Sequence, residues 1–138
     1  MEIDIKELWT AGGILLGFQL TSFHFRLSRE LKFRDEGDTT WLPWADLLML
    51  ISMVVIVLCI FLLPLLGLEG AFSINAFGVS LILFAAYPFA LAGHYELFTS
   101  KAKDARQGGH LPFEERVVLI ATTLFLFVYE FFFFYSGV

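Results

Sequence analysis

The sequence predicts an all-α integral membrane protein, a bundle of four transmembrane helices running up and down, with both termini on the non-cytoplasmic side. Three observations predict it. Hydrophobic residues make up 58% of the chain and the mean hydropathy is +0.76, so lipid rather than water is the natural solvent. Four long apolar stretches, each near the roughly 20 residues that cross a hydrocarbon core of about 30 Å, use up most of the 138 residues. The basic residues, finally, gather on one side of such a bundle. The whole chain, 1–138, reads as one transmembrane domain with helices at about 8–26, 42–66, 71–96 and 113–135 and charged cytoplasmic loops at 27–41 and 99–112.

The first helix begins after Glu2, Asp4, Lys6 and Glu7, which do not resemble the basic start of a secretory signal, and it is expected to be retained. From Leu8 to Phe25 it carries no formal charge, and Trp9 sits at the depth of an interfacial aromatic belt. Arg26, Arg29, Glu30, Lys32 and Arg34 then mark the edge of the lipid, and Gly37 and Asp38 break the segment. Thr39 or Thr40 is expected to cap the second helix and Pro43 to occupy its first turn, with Trp41 and Trp44 as anchors. Leu47 to Leu66 is one uncharged crossing, ended by Pro64 and Gly67.

A connection of a few residues around Gly67, Glu69 and Gly70 makes the second and third helices a tight antiparallel hairpin. Pro88 falls inside the third helix and is expected to strain it one turn earlier, near Phe84. The segment from Ser100 to Leu111 is hydrophilic, and Pro112, Glu114 and Glu115 form the first turn of the fourth helix.

Orientation follows from the basic residues, because Lys and Arg near the ends of spans are retained in the cytoplasm. Arg26, Arg29, Lys32, Arg34, Lys101, Lys103, Arg106 and Arg116 fall on one side, against Lys6 alone on the other. Such asymmetry fits a bacterial inner (plasma) membrane protein of fixed topology and disfavours a dual-topology dimer. Basic residues interleaved with acids, and a net charge of -5, give no footprint for nucleic acid. The single Cys59 makes no intramolecular disulfide.

Two helices carry stripes of small residues: Gly13, Gly17 and Thr21 on the first, Gly78, Ala86 and Ala90 on the third. Small residues let helix backbones approach closely in lipid, so both stripes are expected to be packing seams, within one bundle or between copies. Each stripe ends in a histidine at the inner face. His24, Arg26, Asp46, His94 and Glu96 form the densest ionisable cluster at membrane depth. Ordinary helix-dipole and interfacial preferences account for such residues at helix ends. A metal held by His24, Asp46, His94 and Glu96, a haem between His24 and His94, and a proton relay are the functional alternatives. Nucleophilic catalysis lacks a base and an orienting acid beside Ser22, Ser28 or Cys59.

Glu130 is the other intramembrane acid. It lies fourteen residues beyond Arg116, a rise of about 21 Å, with Asn75 about a turn or two from its level. A hydrogen-bonded structural acid and the coupling site of a transporter both fit that placement. The composition and motifs therefore point to a structural or accessory membrane component without enzymatic activity. A small oligomeric transporter or channel using Glu130 is the alternative, and a metal- or haem-binding protein using His24 and His94 the second. The expected partners are the lipid bilayer and a homo-oligomer or larger membrane complex.

Overall fold

The computed structural model describes residues 4–35, 43–68, 71–95 and 112–135. Among them every regular element is helical. Helix α1 is Ile5–Asp35; α2 runs Trp44–Leu65; α3 is Ala71–His94; α4 is Phe113–Tyr135. Three of these, α2, α3 and α4, are long and apolar enough to cross a membrane, which makes this a membrane protein. Helix α1 is longer, at 31 residues, but Gln19, His24 and its charged inner third dilute its apolar character.

Helix α1 differs from its expected end near residue 26. It continues through residues that were expected in a loop, because nothing before Gly37 breaks it and Arg26 pairs with Glu30 one turn on. Helix α2 differs at both ends. Pro43, expected within the first turn, stands just outside it in extended conformation (φ -65°, ψ 156°) and supplies no side-chain cap; Thr39 and Thr40 lie outside the described residues.

Toward its other end α2 widens into a π-helical segment, Ile56–Leu62, where the Leu63 N–H reaches back five residues to the Leu58 carbonyl. Pro64 gives the reason. Its ring would collide with the carbonyl four residues earlier in a regular α-helix, and a wider turn relieves that collision. In the wider register the Cys59 carbonyl would take its bond from residue 64, and proline has no N–H to give. The Ser73 hydroxyl of α3 donates to that carbonyl instead, at 3.0 Å. Gly67, with φ 76°, then turns the chain as a left-handed residue after the helix.

Polar contacts fix the registers between helices. Gly12 of α1 faces Ile60 and Phe61, Gln19 donates to Ser52, and Arg26 approaches Asp46. Steps of seven along α1 are thus answered by similar steps backward along α2, so the two lie antiparallel over most of α2. Helices α2 and α3 pair likewise through Ser52 with Ser80 and Cys59 with Ser73. Helices α3 and α4 pair through His94 with Glu115 and Asn75 with Glu130.

Between these contacts lie two apolar clusters. The inner one centres on Ala45, Met49, Met53, Leu83, Tyr87 and Ala90; the outer one on Leu8, Leu15, Ile56 and Ile60. Helix α4 stands at the edge. Only 6% of its apolar window is buried, against 33% for α2 and α3.

The two small-residue stripes behave differently. On α3, Ala90 is fully buried and Ala86 packs against the inner cluster, while a Cβ on Gly78 would collide with the Tyr129 hydroxyl of α4. On α1 the expected seam is turned outward: Gly13, Gly17 and Thr21 are exposed, and no atom of another segment lies within 4 Å of a Cβ at Gly17. The glycine that packs is Gly12, one position away, where a Cβ would lie 3.1 Å from Ile60. One residue is a turn of about 100°, enough to move a seam from the core to the flank.

Candidate functional site

The densest polar site is at the inner end, where α1, α2, α3 and α4 meet. It is organised by Glu115, which the sequence presented as a first-turn acid of a solvent-facing helix end. Only 1% of Glu115 is exposed. Its Oε1 accepts the Ala45 N–H of α2 at 2.8 Å, and its Oε2 lies 2.9 Å from His94 Nδ1 of α3. A carboxylate from α4 thereby satisfies one of the free N–H groups of the α2 terminus, the task that Thr39 or Thr40 was expected to perform.

Gly93 is what permits this. A Cβ there would stand 2.7 Å from the Glu115 backbone nitrogen and 2.9 Å from the Glu114 carbonyl carbon. Without a side chain at 93 the first turn of α4 comes directly against the last turn of α3, carrying Glu115 to His94. Gly93 and Glu115 were not singled out in the sequence. The usable signal was a glycine just before the histidine of an otherwise apolar helix end, which indicates close backbone approach.

Arg26 and Asp46 complete the junction. Asp46 is wholly buried, 3.6 Å from Arg26 Nε, and the Tyr87 hydroxyl lies beside it. Neither Asp46 oxygen has a hydrogen bond of normal geometry. Arg26 also pairs with Glu30, and the guanidinium groups of Arg26 and Arg29 lie 6.0 Å and 5.4 Å from the centre of the Tyr95 ring. Of the expected inner cluster, the structure brings together Arg26, Asp46 and His94. His24 stands apart, exposed on the outer flank of α1 with an edge contact to the Phe25 ring, while His94 turns to Glu115. Glu96 lies outside the described residues. No group of three metal-ligating side chains occurs among the described residues.

A second polar layer crosses the middle. Gln19 Nε2 donates to Ser52 Oγ at 2.6 Å, Ser52 donates to the Ser80 carbonyl at 2.7 Å, and all three residues are fully buried. The third layer is at the outer end of α3 and α4. There Asn75 Nδ2 donates to both oxygens of Glu130, at 3.1 Å and 2.9 Å, and the Tyr129 hydroxyl reaches the Asn75 carbonyl at 3.4 Å.

The largest hollow described is apart from all of these. A groove of about 490 Å³ between α3 and α4, lined by residues such as Ala85, Phe89, Ala121 and Phe125, contains no titratable group. No protein family, curated protein or solved structure matches this chain.

Proposed function

We propose that this protein is a structural or accessory component of a bacterial inner (plasma) membrane, without enzymatic activity, and that α1 is its fourth crossing. The observation that carries the reading is the use made of the interior polar groups. Glu115 bonds α2 and is paired with α3, Gln19 and Ser52 join α1 to α2 and α3, and Asn75 holds both oxygens of Glu130. Each is committed to a neighbouring helix, which is how polar groups hold a bundle together where lipid removes the hydrophobic drive. The crossing of α1 is supported by its antiparallel register with α2 from Gly12 to Arg26. Both termini then face the non-cytoplasmic side, consistent with the one-sided basic residues.

Purification of the tagged chain in mild detergent, with identification of bound proteins, an absorption spectrum and metal analysis, tests the role. The expected result is a colourless, metal-free protein accompanied by a membrane partner. A haem or metal band removed by His94→Ala would overturn it, as would proton-coupled flux in liposomes that Glu130→Gln abolishes. For topology, reporters fused after Gly37 and Gly108 should read cytoplasmic and a reporter at Val138 external. A cytoplasmic C-terminus would overturn the orientation.

A further inference from the structure

The outward faces of the helices are unlike one another. Helix α2 shows Leu47, Ile51 and Val54 to the outside, α3 shows Leu81 and Phe89, and α4 shows Leu124, Phe127 and Phe131. These are the large apolar side chains that suit lipid. Helix α1 shows Lys6, Thr10, Gly13, Gly17, Thr21 and His24 in one line, all exposed, at steps of three and four residues. The central members of that line lie at the depth of Ile60 and Ser52, inside the span of α2.

An imidazole and two hydroxyls facing hydrocarbon are costly there, and glycines leave backbone poorly covered. Thr10 and Thr21 turn their hydroxyls back to the carbonyls of Lys6 and Gly17, at 2.8 Å each, whereas among the described residues only the Phe25 ring is in contact with the His24 ring. This face has the composition of a protein contact, not of a lipid contact.

We propose that it is the contact with a second copy of the chain, α1 against α1, about a two-fold axis along the membrane normal. The inference rests on the reading that α1 crosses the membrane. Two features select a second copy. The face is self-complementary in shape: the exposed side chains of Ile14, Phe18 and Phe25 stand beside the Gly13 and Gly17 furrow, so each copy supplies both ridge and groove. It is also self-complementary in charge, since Lys6 and Glu7 are adjacent at its outer end, beside a hollow of about 360 Å³ that also includes Thr10, Ala11 and Ile14. Across a two-fold axis each Lys6 faces the other copy's acid. Copies sharing one topology can only place their first helices parallel, which sets the two histidines at position 24 at one level.

The test uses the full chain with Cys59→Ala, reconstituted in phosphatidylcholine and phosphatidylglycerol vesicles. On oxidation with copper phenanthroline, Gly17→Cys should form a disulfide-linked dimer and Val54→Cys, on the outer face of α2, should not. In a second measurement by energy transfer on lipid dilution, Gly17→Leu should weaken self-association about tenfold or more. Its thermal stability should be unchanged, because position 17 meets no other segment of its own chain.

Equal cross-linking at both positions, or undiminished association of Gly17→Leu, overturns the dimer. The reading beneath it fails in a different way. If a membrane-impermeant maleimide labels Gly17→Cys in intact vesicles, α1 is not in the bilayer, and both are lost. If that label is excluded but the chain is monomeric, only the dimer is lost.

Discussion

The two acids that α4 offers to α3 do different work. Glu115, at the inner end, is buried and divides its two oxygens between helices, taking a backbone N–H from α2 and facing an imidazole on α3. Glu130, at the outer end, is half-buried and gives both oxygens to one amide on α3. The first joins three elements and the second joins two. The lesson is that an acid's place in a membrane bundle is set by how many helices depend on it, and depth alone does not reveal that number.

The sharpest way to break this comparison is to remove each carboxyl in turn. Glu115→Ala leaves the Ala45 N–H and His94 without their partner in a buried site, a loss of about 3–5 kcal/mol for a broken buried pair. It should appear as the largest fall in thermal midpoint of any single change at the junction. Glu115→Gln keeps an acceptor for Ala45 and should cost about 1–2 kcal/mol, within the range of one altered hydrogen bond. A smaller loss for Ala than for Gln would show that Glu115 does not hold the α2 terminus.

Backbone approach is the next largest effect. Gly93→Val would force α3 and α4 apart at the inner end, against backbone atoms that cannot swing away, and should cost at least about 1–3 kcal/mol. Gly78→Ala meets only the Tyr129 hydroxyl, which ends a side chain that is free to move, and should cost about 1 kcal/mol or less. Denaturation of the two variants in one detergent checks the order. A reversed order would place the tighter α3–α4 contact at the outer end.

The smallest expected effect is at Glu130. Asn75 Oδ1 is buried and has no hydrogen-bond partner, so Glu130→Gln, with an amide reorientation, provides that oxygen with a donor while retaining an acceptor for Asn75 Nδ2. The stability of Glu130→Gln should stay within about 0.5 kcal/mol of the parent, or rise. A double-mutant cycle with Asn75→Ala measures the pair directly. A coupling energy near zero would mean that the outer acid is not held by the asparagine.

Much of the fold was legible because lipid leaves few ways to arrange an apolar chain. Stretches such as Leu47 to Leu66, with Pro64 and Gly67 at the end, announce a crossing by length and by stop signal. The faces were less legible. Gly13 and Gly17 have the spacing of a seam, as does Gly12 with Leu8, Leu15 and Gln19, and only the partner helix decides between lines about 100° apart. The inner site was legible as ionisable residues near helix ends, Arg26, Asp46 and His94 among them. Their pairing was not, because it depends on Gly93 admitting Glu115, a contact between residues in different helices with no local pattern. The widened turn in α2 could have been read from Pro64, whose effect on the preceding turn is steric and local.

That widened turn has a consequence for the phase of α2. A π-helical segment carries one residue more than an α-helix of equal height, so it acts as a built-in insertion. Ile56, Ile60 and Pro64, four apart, all remain buried through it, whereas in a regular α-helix each step of four drifts about 40° around the axis. The extra residue cancels that drift and keeps the outer end of α2 aimed at α1 and α3. Deleting Val57 would restore an ordinary α-helical count and rotate everything beyond it by about 100°, carrying Ile60 off the α1 interface and Cys59 out of reach of Ser73. The outer third of the bundle is therefore keyed to a single residue of chain length, and a shorter α2 would have to meet its neighbours with a different set of side chains.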